Sequence, residues 1–223
     1  MSTLKLKGSS SGEAEVTVAA AAGTPTITLP TASINLATAG DDGQYLKTNG
    51  SGTLSFDTPS VITYKGTAVA TTSGTSVEFT GIPVSATRLT LLLAQVSGSG
   101  TDNIKVQLGH SSAYYTSGYN SVGGWSGEGE GYSEIGLTDG FALVNYHNGA
   151  GNSLIIRMTL SKLNNTDGGT SWIEDHQGSQ ANVNLRYGGG ILTGVSTAVD
   201  RLKVTFTGSD TFDSGSMNLT WEQ

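Results

Sequence analysis

Arg88-Leu89-Thr90-Leu91-Leu92-Leu93-Ala94-Gln95-Val96 decides the fold class of this chain. It is the most apolar run in the sequence, and its consecutive leucines predict a central β-strand covered on both faces. Working outward, Thr75-Ser76-Val77-Glu78-Phe79-Thr80 precedes it and ends in a Gly81-Ile82-Pro83 turn. Asn103-Ile104-Lys105-Val106-Gln107-Leu108-Gly109 follows, alternating cleanly, so one of its faces is expected to be wet. Further strand patterns fall over residues 141–146, 153–160, 171–176, 182–187, 201–207 and 216–222, separated by Gly-rich turns. Trp172 and Trp221 lie within these patterns and read as core. Eight or nine strands of this kind predict an antiparallel β-sandwich, jelly-roll-like in form, over residues 61–223.

The first sixty residues have a different texture. Leu4-Lys5-Leu6-Lys7 and Thr24-Pro25-Thr26-Ile27-Thr28-Leu29-Pro30 are short strands set among Gly and Ser. Tyr45-Leu46-Lys47-Thr48 and Thr53-Leu54-Ser55-Phe56 flank Asn49-Gly50-Ser51-Gly52, a hairpin signal because Asn-Gly tolerates positive φ. Large side chains are too few here to build a core within one chain. Several copies sharing a core solve that problem, so residues 1–60 are expected to form an extended trimeric β stalk. Asp57-Thr58-Pro59-Ser60 breaks the pattern and marks the boundary. Helix signals are nearly absent, since the Ala-rich run ending at Ala22 meets Gly23 and Pro25.

Composition narrows the function. Charged residues make up 13% of the chain, about half the usual share. Disorder requires low hydrophobicity with high net charge, and the 36% apolar content in regular alternation argues for a folded protein instead. A net charge of −7 without a Lys/Arg cluster speaks against nucleic acid as a partner. With no cysteine, disulfides and thiolate metal sites are excluded. No secretory leader is visible after Met1 and no apolar run is long enough to span a bilayer. Synthesis in a cytoplasm and no membrane insertion are therefore expected, any exterior location arising by assembly.

These segments resemble the virion fibres of tailed bacteriophages. Residues 4–30 are similar to the shaft of tail fibre proteins, where T-[IL]-T-L-P segments alternate with Gly/Ser turns. Gly43-Gln44-Tyr45-Leu46, continuing to Phe56, is similar to their G-Q-x-L-x-x-x-G-x-G-x-L-x-W segment, with Phe56 where Trp is common. Phe79-Thr80-Gly81-Ile82-Pro83, Gln107-Leu108-Gly109, Thr116-Ser117-Gly118-Tyr119 and the ending Asp210-Thr211-Phe212-Asp213-Ser214-Gly215-Ser216-Met217-Asn218-Leu219-Thr220-Trp221-Glu222 resemble a terminal domain of phage virion proteins, many from marine phages. The resemblance covers nearly the whole chain. It implies a homotrimeric tail fibre or spike, made in the host cytoplasm and exposed on the virion surface. Its head would bind a host surface receptor, glycan or protein, and its N-terminal segment would meet other virion proteins. One alternative keeps the architecture and attaches it to the capsid as a head fibre or decoration protein. The chain begins directly with shaft-like sequence, which favours that alternative. Another alternative is a polysaccharide-degrading spike.

Enzymatic glycan cleavage needs two carboxylates facing across a sugar. Glu128, Glu130 and Glu134 lie among glycines, which hold a catalytic side chain poorly, and Glu174 and Asp175 point to opposite faces of a strand. Solvated charges are the better reading, so no catalytic residue is assigned. The histidines at 110, 147 and 176 share no ligand spacing, and neither a metal site nor a cofactor is assigned. Asp210 and Asp213 read as a turn rather than a calcium loop, with Phe212 plugging the core and Gly215 at positive φ. Gly123-Gly124 and Gly188-Gly189-Gly190 are not phosphate loops, because no Lys-Ser/Thr follows and no helix opens there. The long stretch 110–139 reads as an irregular functional loop. Its Tyr114, Tyr115, Tyr119, Trp125 and Tyr132 are the receptor-binding candidates, since aromatic rings match the apolar C–H faces of sugars. The same rings serve equally well to pack the loop on the sandwich or to fill a subunit contact.

Overall fold

The computed structural model describes residues 3–7, 13–17, 44–48, 54–59, 63–111, 113–127, 131–143, 153–164, 170–180 and 184–223. Among them every regular element is a β-strand, and all pairings are antiparallel. No helix among them is long and apolar enough to cross a membrane. The chain divides into two compact units, Met1–Pro59 and Ser60–Gln223.

In the first unit β1 (Thr3–Lys7) pairs with β2 (Glu13–Thr17), and β3 (Tyr45–Thr48) pairs with β4 (Leu54–Asp57). The hairpin expected about Asn49-Gly50 thus has its two strands in register, Leu46 opposite Phe56, with the turn itself outside the described residues. The expected strand over 24–30 also lies outside them. Tyr45, Leu46 and Phe56 are 46%, 49% and 37% exposed, so this hairpin buries no core of its own. Lys47 and Asp57 form an ion pair at 2.7 Å, but on an exposed surface such a pair contributes little.

The second unit is built from two sheets. The larger contains β5 (Thr63–Lys65), β6 (Val69–Ala70), β8 (Arg88–Gly98), β11 (Tyr119–Gly127), β12 (Gly131–Leu137), β14 (Leu154–Asn164), β15 (Thr170–Gln180), β16 (Asn184–Val195) and β18 (Phe212–Glu222). Its order is β12-β11-β16-β15-β14-β8-β18-β5, with β6 also on β18. The smaller contains β7 (Ser76–Thr80), β9 (Ile104–His110), β10 (Ala113–Tyr114), β13 (Phe141–Ala142) and β17 (Arg201–Phe206), ordered β10-β9-β17-β7 with β13 on β9. The inner positions of both sheets alternate along each strand and meet in one core. Val77 and Phe79, Leu202, Val204 and Phe206 come from the smaller sheet; Leu89, Leu91, Leu93, Ile156, Met158, Met217 and Leu219 come from the larger. Each such side chain contributes about 1.5–3 kcal/mol by leaving water.

β8 is interior to its sheet, as its composition predicts, yet it is not covered on both faces. Leu89, Leu91 and Leu93 are buried while Leu92 between them is 42% exposed. The three-leucine run hides an ordinary alternation, because among the described residues no second layer lies over the outer face there. β9 departs in the other direction: Gln107 on its expected wet face is buried, its amide donating to the Asp139 carbonyl at 2.6 Å.

The ending matches the turn reading in its buried Phe212 and in the positive φ of Gly215, but residues 212–215 form the bulged start of β18 rather than a turn. Phe212 is buried and packs on Phe206 with ring centroids 4.6 Å apart. The Asp210 carboxylate accepts from the Asp102 N–H at 2.7 Å, and the Asp102 carboxylate accepts from the Asp210 N–H at 3.0 Å, clasping two loops together. The β8–β18 ladder slips twice beside it, where Gln95 has φ 55° and Gly215 φ 95°. A Cβ on Gly215 would stand 2.4 Å from the Gln95 carbonyl oxygen. Gly215→Ala is therefore expected to lower stability by roughly 1–3 kcal/mol in denaturant unfolding; an unchanged midpoint would refute the need for glycine there.

Candidate functional site

The stretch 110–139 is not one irregular loop. Most of it is strand: β10, then the β11–β12 hairpin, which extends the larger sheet from β16 in continuous register. Glycines 123 and 124, which suggested irregularity, sit inside β11 and join the ladder through their main chain. This reorganisation scatters the five aromatic candidates.

Tyr119 is core. It is 4% exposed, meets Phe141 edge-on at 4.9 Å, and accepts a hydrogen bond from the Leu108 N–H at 2.9 Å. Burial raises its phenol well above the ordinary value. Tyr115 is a strut rather than an open ring, its hydroxyl donating to the Thr197 carbonyl at 2.9 Å and accepting from the Thr197 N–H at 3.2 Å. His110 tilts against it at 5.2 Å. Tyr114 lies under the Lys203 ammonium, 4.2 Å from ring centroid to Nζ, and burial pushes its pKa up to about 12. Trp125 and Tyr132 are on paired strands but on opposite faces, because Trp125 stands across from Ser133 and Tyr132 from Ser126. The Arg186 guanidinium covers the Trp125 ring at 5.5 Å. Tyr132, 76% exposed, is the one ring of the five that stands open.

The acidic candidates also separate. Glu128 and Glu130 lie outside the described residues, as does His147. Glu134 is exposed on β12. Glu174 is buried on the inner face of β15 while Asp175 is exposed on the outer one, so the two do not face across a common space. Glu174 instead bonds His176 Nδ1 at 2.7 Å, and burial holds its carboxyl above the usual range, opposed by that bond. Residues two apart on a strand share a face, so the Glu174–His176 pair was available in the sequence as an alternation once the strand was drawn.

Around that pair the inner face of the larger sheet turns polar, an arrangement that sequence reasoning missed. Glu174, His176, Gln180 and Arg186 are all at most 4% exposed. Arg186 Nε and Nη1, Glu174 Oε2, His176 Nε2 and Gln180 Oε1 have no hydrogen-bond partner. Desolvation draws the Arg186 pKa down to about 10. These groups are closed to a macromolecular ligand. Among the described residues no group of three or more His, Asp or Glu side chains is assembled to hold a metal.

Cavities among the described residues include two of note. One, of about 480 Å³, is lined by Gln95, Ser97, Ser153, Asp213 and Ser214 at the double bulge of β8 and β18. Ser97 Oγ bonds Asp213 Oδ1 and stands 2.8 Å from Ser214 Oγ, which donates to the Gln95 carbonyl at 3.0 Å. Hydroxyls, an amide and a carboxylate in one open cavity can exchange hydrogen bonds with the hydroxyls of a polyol. The other, of about 180 Å³, lies where β14, β15 and the segment 195–199 meet.

Comparison with known proteins finds no matching family model, curated protein or solved structure.

Proposed function

We propose that this protein is a phage virion fibre or spike: a homotrimer with an intertwined N-terminal stalk and a jelly-roll-like head that binds a host surface glycan. The observation that carries this reading is the β3–β4 hairpin. Leu46 and Phe56 stand opposite each other on a two-stranded sheet and both remain exposed. An isolated two-stranded ribbon is marginal in water, and further copies of the same ribbon supply the missing cover. The head supports the jelly-roll-like description in its winding. The chain passes from larger to smaller sheet and back at β7, at β9–β10, at β13 and at β17.

Receptor binding is proposed to occur without reaction, through the open Ser/Asp cavity and the exposed Tyr132 ring. Weak contacts at each head, repeated over three chains and several fibres, then sum to firm attachment. Attachment to tail or to capsid leaves this architecture unchanged, and labelling virions through the head decides between them.

Sedimentation tests the stalk. The full chain is expected to run as a trimer and residues 60–223 as a folded monomer. A full chain that sediments as a monomer refutes the trimer. A trimer that survives the deletion places the contacts in the head instead.

A further inference from the structure

The smaller cavity has a chemistry that the receptor reading does not use. Its lining includes Lys162, Thr170, Trp172, Val195, Thr197 and Val199. Lys162 and Trp172 stand directly opposite each other in the β14–β15 ladder, so both side chains leave the same face of the sheet. Trp172 is 2% exposed, and its indole Nε1–H is buried without an acceptor. Lys162, half-buried, has no ion-pair partner among the described residues, and no Asp or Glu among them lines the cavity. Val195 and Val199, each 5% exposed, add apolar wall. The wall is also held in place, because Tyr115 both donates to and accepts from the Thr197 backbone.

We propose that this cavity binds a carboxylate, with Lys162 Nζ and Trp172 Nε1 as its two donors. An ammonium and an unmet N–H on two residues that line one cavity ask for an anionic acceptor. A planar group with two oxygens can meet one donor with each. A neutral amide leaves the ammonium charge unmatched. At about 180 Å³ the space is several times the roughly 30 Å³ share of one water. It is also smaller than a drug-sized pocket. It suits a small free carboxylate or the carboxylate-bearing end of an acidic sugar. The inference does not rest on the virion reading: it stands or falls on these two donors in any assembly.

The test is calorimetric titration of the full chain with acetate, pyruvate, glucuronate and N-acetylneuraminate, at ionic strength held constant with chloride, with acetamide as the neutral isostere. At least one carboxylate is expected to bind saturably with a Kd near or below millimolar, and acetamide not to bind. Saturation by the sugar acids alone assigns an acidic glycan; saturation by acetate or pyruvate alone assigns a free metabolite-sized acid. Lys162→Gln is expected to weaken binding roughly tenfold or more, and Lys162→Arg to retain most of it. In the unsubstituted chain the Trp172 indole N–H resonance, identified by its loss in Trp172→Phe, is expected to shift as carboxylate is added. That readout does not depend on any variant that binds. No saturable response to any of the four acids, an equal response to acetamide, or an indole signal that stays still overturns the proposal.

Discussion

Phe141→Ala is expected to remove about 3–5 kcal/mol from the unfolding free energy, the range for emptying a buried aromatic site. Phe141 is 0% exposed and belongs to β13, only two residues long, which pairs with β9 by placing Phe141 against Val106. Its ring also meets Tyr119 of β11 at 89°, an edge-to-face pair. One side chain thus joins a strand of the smaller sheet to a strand of the larger. Truncation loses the transfer free energy, the aromatic pair at about 0.5–1.5 kcal/mol, and the contacts around the space left behind. Collapse into that space is opposed by Tyr119, whose hydroxyl is fixed on the Leu108 N–H. Phe141→Leu keeps most of the volume and is expected to cost well under half as much. Urea unfolding of the full chain, followed by tryptophan fluorescence, measures both. A loss below about 1 kcal/mol for Phe141→Ala shows that the site collapses freely, and that the two sheets are not held together here.

The sheets were legible wherever large side chains alternate. Val77 and Phe79, the even positions of Arg201–Phe206, and Ile104, Val106 and Leu108 all take the buried places that their spacing predicts. Alternation also located the β3–β4 hairpin from Asn49-Gly50. It failed where the residues carry no side chain to alternate. Glycines 123 and 124 in β11, and 188 to 190 in β16, erased the period-two signal, so β11 and β12 read as loop and β16 read as ending near Tyr187. Leu91-Leu92-Leu93 misled in the opposite sense, since a run of identical apolar residues says nothing about whether a second layer exists. The candidate site suffered from the same error. Rings grouped by sequence in one supposed loop were distributed by real strands to the core, to a loop anchor and to two faces of a sheet. The cavity at Lys162 and Trp172 was unreadable, because those residues are ten apart in the chain and meet only through the β14–β15 register.

The glycine run offers the sharpest test of why β16 is built as it is. Gly188 lies across from His176 in the β15–β16 ladder and from Gly123 in the β11–β16 ladder, on the inner face. A Cβ placed there would stand 2.2 Å from His176 Cε1 and 2.5 Å from the Val122 carbonyl oxygen. The first clash is with a ring that is itself buried and tied to Glu174 at 2.7 Å. The second is with the backbone of a paired strand, which cannot turn aside without breaking the ladder. Gly188→Ala is therefore expected to destabilise by roughly 2–3 kcal/mol, and Gly188→Val by more, against the usual small gain of replacing a strand glycine. His176→Ala in the same chain relieves only the first contact. The double variant is expected to recover part of the loss, with a coupling of about 0.5–2 kcal/mol between two residues that touch. Additive effects of the two changes would mean that the histidine ring does not rest on the glycine. Full recovery would mean that the backbone contact yields, leaving the ring as the sole reason for a glycine at this position.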